Sequence, residues 1–424
     1  MADLEIRVVR ATDPDRYLAS DLLIWFSEPV SDETAEALLL GVPEHQRFVV
    51  ELPDADVDPR FHPGVYGVRP MQLSVPDGTG AGRLLPVAGL TWVGVHPDHR
   101  RRGLLTAMMR HHVEQTRSEG VHVSVLHASE PGIYGRHGYG LASLELSVDL
   151  GRGTTFVAPH LEDEAAALVT RMTSMSDEGM AERRRACELA VAPSCVGAIV
   201  GEPGFFADLT HVVPEDVRDK EVPRLLFAMQ DGRDVGYALF RRTHKWDNAR
   251  PGAVVDVHAH HATPAAHLAL MRRLVDLDLA GTIKVTGVAQ DDPMLSWIAG
   301  PRATGNLNTY DSLWVRLVDL PEALAARGYE ADCDVVVEVA DESAPWNAGR
   351  WRIRVEQGAA EATRTEDDAE VSLSIAALGA AYLGGGNLAA MRRAGLVAEH
   401  RPGAVSDLWR AFRTDVPPYA SRGF

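Results

Sequence analysis

The 424-residue chain has few cysteines, no long apolar run and fewer basic than acidic residues. Its three cysteines, Cys187, Cys195 and Cys333, lie far apart without a CxxC pair, so neither a disulfide framework nor a zinc site is predicted. No apolar run reaches the roughly 18 residues of a membrane span. The N-terminus, MADLEIRVVR, has early acidic residues and no apolar signal segment. This predicts a soluble, cytoplasmic protein and leaves export by a non-standard route open.

Acidic residues outnumber basic ones, 60 to 42, and the formal net charge is −18 at pH 7. This balance argues against a nucleic-acid partner, because phosphate backbones need a basic footprint. It favours cationic ligands, since an acidic protein raises the local concentration of polyamines and lysine-rich peptides. Solubility is the simpler explanation when charge is the only observation.

A short basic segment lies between a predicted strand and a predicted helix. Leu90 to Val95 is an apolar, β-branched run that ends in a turn signal, which predicts a strand. Three arginines at 100–102 and Gly103 follow, and apolar residues then recur at helical spacing as far as Gly120. Val121 to Leu126 is a second apolar strand. The flanking strands favour a phosphate-binding turn over a merely solvated basic turn.

Such a turn is suited to anions. The first N–H groups of a helix lack internal partners, and the helix dipole adds partial positive charge there. Gly103 has no side chain, so a ligand can approach the backbone closely. Arg101 and Arg102 add fixed charge. A pyrophosphate is the expected ligand.

The motif resembles a known cofactor loop. Arg100-x-x-Gly103 after a strand resembles the coenzyme A pyrophosphate loop of GNAT-type N-acetyltransferases, although Leu105 stands where that pattern has a small residue. The longer string, HRRRGLL followed by ASE-x-GIYGR-x-GYG, is similar to the Eis family of actinobacterial acetyltransferases, from which Leu105 is no departure. The second segment is long and specific, and weaker agreement in organisation covers most of the chain. The resemblance implies an acetyl-CoA-dependent N-acetyltransferase.

The predicted fold is α/β, with two tandem GNAT-like mixed-sheet domains followed by a sterol-carrier-like α+β lobe. The second domain repeats the hairpin, strand, helix and strand of the first, and it is predicted to begin with a helix from Leu161 to Arg185. It has Thr263-Pro264-Ala265 in place of the basic turn, so we expect it to bind no cofactor. The predicted ranges are 1–150 for the catalytic GNAT domain, 151–310 for the degenerate copy and 311–424 for the lobe.

The resemblance assigns coenzyme A binding to three short segments. One is the strand whose amides hold the pantetheine arm and polarise the acetyl carbonyl, where Gly94 is expected to permit close approach. The others are the pyrophosphate loop with its helix and the residues just after the next strand. The residues so assigned are Val93, Gly94, Val95, Arg101, Arg102, Gly103, Leu104, Leu105, Thr106, Ser129 and Glu130.

The resemblance also implies the catalytic groups. Tyr134 is the implied general acid, since a phenol with a pKa near 10 is protonated at neutral pH and can donate to a thiolate; Tyr139 is the competing candidate. The implied base is the C-terminal carboxylate of Phe424, which needs burial to raise its pKa. An aromatic and acidic cluster at Trp25–Glu28 either lines an amine pocket or is only core and solvated surface.

The family's substrate classes are amines of polycations, either aminoglycosides acetylated at several positions or peptide lysines, and the family suggests a homo-oligomer, a hexamer. No metal is predicted, because His258 and His260 would share a strand face without a third convergent ligand. The alternative function is a lipid- or protein-binding module with a vestigial GNAT fold. The intact loop at 101–106 and Tyr134 favour the enzyme.

Overall fold

The computed structural model describes residues 5–53, 56–211, 220–298, 300–421 and 423–424. The first part of the chain contains the following elements, in two groups. The strands are β1 Arg7–Arg10, β2 Arg47–Glu51, β3 Gly64–Pro76, β4 Gly82–Val95, β5 Val123–His127 and β6 Gly140–Leu141, and the helices are α1 Pro14–Ile24, α2 Asp32–Leu40, α3 Leu104–Ser118 and α4 Pro131–Tyr134.

The middle of the chain contains a second set of strands and helices. The strands are β7 Leu144–Gly151, β8 Val169–Ser174, β9 Ile199–Gly201, β10 Arg224–Gln230, β11 Arg233–Thr243, β12 Trp246–Asp247, β13 Arg250–Pro251, β14 Ala253–Ala262, β15 Ala280–Val288 and β16 Leu307–Asp311. The helices are α5 Glu162–Ala166, α6 Met180–Val191, α7 Pro203–Thr210, α8 Pro264–Val275 and α9 Pro293–Trp297.

The last part of the chain contains the elements of the C-terminal lobe and one strand that precedes it. The strands are β17 Leu313–Leu317, β18 Cys333–Ala340, β19 Gly349–Glu356, β20 Ala359–Arg364, β21 Val371–Ser374 and β22 Val397–Glu399. The helices are α10 Leu320–Ala325, α11 Ile375–Ala381, α12 Leu388–Arg393 and α13 Ala404–Phe412.

The first sheet contains the strand pair that forms the cleft of the site. Its order is β1-β2-β3-β4-β5-β17-β6, with β9 also paired to β3. β4 and β5 are parallel, but they pair only at Ala88–Ser124 and Gly89–Val125. β4 continues to Val95 beyond these pairs. The two strands therefore separate toward their carboxyl ends and leave backbone groups between them for a ligand.

The second sheet has the order β16-β7-β15-β14-β11-β10-β8. The two sheets exchange strands, so strand pairing does not follow the predicted segments. β7, which begins at Leu144, pairs with β15 in the second sheet, whereas β17 pairs with β5 in the first. The chain therefore crosses between the two sheets at β7 and again at β17.

The predicted helix from Leu161 to Arg185 is wrong. The structure has α5, then strand β8, then α6 from Met180. β8 pairs antiparallel with β10 along its whole length. Its β-branched residues Val169, Thr170 and Thr173 favour extended chain, and the available partner strand overrides the helical pattern.

The lobe contains another sheet, of order β20-β19-β18-β21-β22, and its helix α11 packs against the segment from the loop after α4 to β6. A Cβ added to Gly138, whose φ is +86°, would lie 2.7 Å from Nε of Arg316. A Cβ on Gly140 would lie 1.9 Å from the carbonyl oxygen of Ala376 in α11. Arg316 is itself buried and paired with Asp341 at 2.7 Å. These contacts fix the loop by close packing.

None of the helices in the described part of the chain is both long and apolar enough to span a bilayer.

Candidate active site

The basic turn leads from β4 to α3 through left-handed backbone. Arg101 and Gly103 both have left-handed backbone, with φ of +61° and +86°, and Gly103 caps α3. Turns of this kind aim successive N–H groups to one side and bind anions. Both arginine side chains, at 101 and 102, are exposed. Nη1 of Arg102 lies 3.0 Å from Nδ1 of His99, whose pKa is lowered by burial and by this arginine.

The first turn of α3 exposes backbone while anchoring its apolar side chains. Leu104 is buried and Leu105 half-buried in the core beneath the helix, whereas Thr106 is exposed. The predicted phosphate ligands at 101–106 therefore lie together in one turn. Ser129 and Glu130 are exposed in the loop between β5 and α4, beyond the carboxyl end of β5.

A β-bulge interrupts the ladder between β3 and β4 beside the predicted pantetheine strand. The register shifts between Val65 and Gly67, and Trp92 has φ of +53°. Bulges re-aim backbone and side chains next to active sites. A Cβ on Gly94 would lie 2.5 Å from Ile24, so packing against α1 already requires glycine there. The cofactor roles of Val93, Gly94 and Val95 stay predictions.

Tyr134 ends α4 and lies almost buried in the core around α3. Burial, with a smaller effect of the Glu130 charge, raises the pKa of Tyr134 to about 12. Its ring meets Tyr139 edge-on at 6.0 Å. Within the described ranges no hydrogen-bond partner meets its hydroxyl, which is therefore available to a ligand.

Tyr139 is held in a closed hydrogen-bond network. Its hydroxyl lies 2.8 Å from Oγ of Ser124, which is also 2.8 Å from Nε2 of His112 and donates to the carbonyl oxygen of Ala88 at 3.1 Å. Burial lowers the pKa of His112 to about 3, so this imidazole is neutral. The network ties α3 to β4 and β5 and leaves Tyr139 poorly suited to proton donation.

The C-terminal residue lies where β4 and β5 begin to separate. The Phe424 ring meets His127 edge-on, with centroids 5.2 Å apart. A Cβ added to Gly89 would lie 3.0 Å from Cε2 of Phe424. Since Gly89 belongs to the last paired position of β4 with β5, the chain terminus is docked at the base of the cleft.

A buried polar cluster lies on the same face of the sheet as Phe424. Arg69 pairs in register with Gly89, and its guanidinium lies 5.8 Å from the Trp92 ring centroid. Asp21 of α1 is only 6% exposed. Burial raises the pKa of Asp21 to about 7, against the lowering effects of its hydrogen bond to Trp25 and of Arg69.

Sequence reasoning missed Asp21 and selected the segment just after it. Tyr17, Asp21 and Ile24 share one face of α1 by helical spacing. An acidic residue on this otherwise apolar face was the feature of the sequence that could have indicated a buried carboxyl. Of the predicted cluster, Trp25 is 43% and Phe26 is 89% exposed. Asp21 is thus buried beneath the sheet surface, whereas these two rings are not.

The raised pKa makes Asp21 a source of pH-dependent instability. The folded state holds a proton that the unfolded state releases near pH 4, so stability falls as pH rises toward 7. The free energy of unfolding of Asp21→Asn, relative to that of wild type, should therefore increase by about 2 kcal/mol from pH 5.5 to pH 8. This is the cost of titrating Asp21 over the roughly 1.5 pH units from 5.5 to its pKa of about 7, at about 1.36 kcal/mol each. Denaturant unfolding of both proteins at both pH values checks this. An equal difference at the two pH values would contradict it.

No group of three or more His, Cys, Asp or Glu side chains suited to a metal ion occurs in the described ranges, and the side chain of His260 lies outside them.

Three family models match the chain in sequence. An acetyltransferase (GNAT) domain matches residues 64–142, a second acetyltransferase (GNAT) domain matches 202–317, and a sterol carrier protein domain matches 320–421. This order confirms the predicted fold class.

The chain is also similar to named proteins over most of its length. It is 39% identical to an uncharacterized N-acetyltransferase of Streptomyces avermitilis, covering 85% of this chain and 86% of that protein. It is 31% identical to the N-acetyltransferase Eis of Mycobacterium tuberculosis, covering 79% and 80%. The crystal structure of Eis1 from Mycobacterium abscessus superposes with a TM-score of 0.80 at 26% identity, covering 99% of this chain and all of that one.

Proposed function

Because this chain belongs to the Eis family of GNAT N-acetyltransferases, we propose that it transfers acetyl groups from acetyl-CoA directly to amines of polycationic substrates. Aminoglycoside-type amines, acetylated at several positions, and peptide lysines are the proposed acceptors. The observation that carries the mechanism is the docking of Phe424 at the base of the β4–β5 cleft. Tyr134 belongs to the core cluster that contains Ala88, and Ala88 lies on the face of β4 opposite to Gly89. The acid and the base candidates therefore belong to opposite faces of this strand.

The reaction forms a C–N bond and breaks a C–S bond. The amine must lose a proton, the carbonyl oxygen must be stabilised as charge develops, and the thiolate must gain a proton. We assign carbonyl polarisation to amides of the bulged strand at 93–95. The carboxylate of Phe424 takes the amine proton, and the hydroxyl of Tyr134, protonated at neutral pH, donates to the departing sulfur.

The pyrophosphate of acetyl-CoA is assigned to the turn at 101–106, with Ser129 and Glu130 beside it. Support comes from the left-handed backbone at Arg101 and Gly103 and from two exposed guanidinium groups. The acceptor assignment is supported by the net charge of −18 and by the buried carboxyl of Asp21. A cytoplasmic location and a homo-oligomer, a hexamer, complete the proposal, as the sequence and the family resemblance suggest.

Replacing both Arg101 and Arg102 by Ala should raise the KM for acetyl-CoA at least about tenfold, because charge-assisted phosphate contacts contribute about 1.5–3 kcal/mol each. Steady-state kinetics at saturating amine measures this. The matched control is Arg392→Ala with Arg393→Ala, which removes two arginines from α12 of the lobe. An unchanged KM in the folded double variant would remove the turn from the cofactor site.

The alternative function is a lipid- or protein-binding module, and a buried charge in the lobe weighs against its lipid-binding form. Arg327 is buried there and donates to the carbonyl oxygens of Tyr382 and Phe412. Its guanidinium also lies 4.5 Å from the ring centroid of Tyr329. The lobe core around Arg327 is therefore polar as well as aromatic, which does not favour an apolar chain at this position.

The function is tested by following thiol release from acetyl-CoA with an aminoglycoside, spermidine and a lysine peptide, against a neutral polyol. We expect turnover with the polyamines, and mass spectrometry should show added acetyl groups. Absence of thiol release with every amine, despite acetyl-CoA binding, would refute the proposed acceptor class.

A further inference from the structure

The second GNAT-like domain has a cleft equivalent to the catalytic one. β14 and β15 are parallel and pair from Ala253–Ala280 to Val257–Val285. β14 continues to Ala262 and β15 to Val288, so they separate toward their carboxyl ends as β4 and β5 do. α8 follows β14 as α3 follows β4.

This second cleft is lined partly by the chain's own tail. A cavity of about 380 Å³ lies among residues at the end of β14, the start of α8 and the loop from β15 to α9. On its other side are Val416, Pro417 and Tyr419, which precede the C-terminus. The tail therefore forms part of the wall of the cleft that corresponds to the β4–β5 cleft of the first domain.

The side chains that line the cleft disfavour a phosphate ligand. Among the described residues that line it, none is Lys or Arg, whereas Asp291 and Asp292 are present. At the start of α8, the Thr263 side chain accepts a hydrogen bond from the N–H of Ala266, so this N–H is already used. The fold of a cofactor site is thus retained without the groups that bind the cofactor.

Tyr419 is the residue that fixes the tail in this cleft. It is only 8% exposed, and its N–H donates to the carbonyl oxygen of Val196 at 2.8 Å. Gly197, with φ of +92°, has no Cβ, and one placed there would lie about 3 Å from the Tyr419 backbone. Burial raises the pKa of Tyr419 well above its ordinary value, so the phenol stays neutral.

The anchor is close in sequence to the proposed base. Ala420 and Ser421 follow it and are buried, and Phe424 lies five residues after Tyr419. Five residues span at most about 17 Å when extended. A fixed Tyr419 therefore limits how far the C-terminal carboxylate can move.

We propose that the cofactor cleft of the second GNAT-like domain has become the anchor of the C-terminal tail, and that Tyr419 is a positioning residue for the Phe424 carboxylate. The proposal rests on the proposed function, in which that carboxylate accepts the amine proton. It assigns the degenerate domain a role in catalysis without a cofactor of its own.

The test uses the full chain with Tyr419→Ala, Tyr419→Phe and one glycine added after Phe424. Tyr419→Ala should lower kcat about 100-fold with the KM for acetyl-CoA unchanged, because a misplacement of about 1 Å can cost that much. Tyr419→Phe keeps the ring and should restore most of the rate. The exposed Tyr310 of β16, changed to Ala, is the neutral control.

A double-mutant cycle separates positioning from general destabilisation. If Tyr419 acts only through the terminal carboxylate, Tyr419→Ala should lower kcat of the glycine-extended chain by less than about twofold. An equal loss in both backgrounds would overturn the proposal, as would unchanged kcat in a folded Tyr419→Ala protein whose glycine-extended counterpart is impaired. If the glycine extension itself has no effect, the terminal-base mechanism fails instead.

Discussion

One glycine added after Phe424 should lower kcat about 10²–10⁴-fold, the usual contribution of a general acid or base. The addition turns the Phe424 carboxylate into a neutral amide and moves the new carboxylate by up to about 3.5 Å. Acetyl-CoA affinity should survive, because the turn at 101–106 is unchanged. Steady-state kinetics with a good amine acceptor measures kcat, and calorimetry measures cofactor affinity.

The added glycine should remove the terminal carboxylate of Phe424 without disturbing the contacts that hold its ring. The Phe424 ring contacts the His127 ring and lies close to Gly89, which has no side chain. Neither contact involves the carboxylate of Phe424. A glycine added at the other end of the chain, before Met1, is the matched control and should leave kcat unchanged. A C-terminal affinity tag should act like the added glycine.

Wild-type turnover by the extended protein would show that the terminal carboxylate is not the base. Asp21 would then be the stronger candidate, since its carboxyl is buried on the same face of the sheet and its pKa is about 7. In that case Asp21→Asn, proposed above as a change in stability, should also abolish most of kcat.

Local chemistry made much of the fold predictable. The turn at 101–103 is specified by residues adjacent in sequence, and the structure places Gly103 in left-handed backbone at the start of α3. The exchange of β7 and β17 between the two sheets was not predictable in this way, because pairing of distant strands is not encoded in local periodicity. The mistaken helix at 161–185 has the same origin, since β10 decides the structure of β8.

The glycines of the family motif are required by contacts with residues that are distant in sequence. The string GIYGRHGYG identifies the family, yet Gly138 and Gly140 are required by Arg316 and Ala376, which lie far away in sequence. Gly94 is likewise required by Ile24. The docking of Phe424 and the burial of Asp21 also depend on long-range packing, so the sequence could supply their residue types but not their positions.

Tyr134→Phe should lower kcat about 10²–10⁴-fold, because the departing thiolate then lacks its proton donor. Removing one hydroxyl leaves the buried ring and its edge contact with Tyr139 in place, so folding and acetyl-CoA affinity should be kept. Single-turnover kinetics with a saturating amine tests the chemical step, and calorimetry tests cofactor binding.

Tyr139→Phe is the matched control, since the two tyrosines are neighbours that differ in their partners. The Tyr139 hydroxyl contacts Ser124 inside a buried network, so its loss should reduce stability by about 0.5–1.5 kcal/mol while kcat stays within a few-fold of wild type. Because the pKa of Tyr134 is about 12, its hydroxyl stays protonated up to pH 10. Deprotonation of Tyr134 should therefore cause no loss of the wild-type rate at pH values up to 10. If Tyr139→Phe lost the rate and Tyr134→Phe kept it, the acid would be Tyr139, and the hydrogen bonds of Ser124 would have to rearrange during turnover.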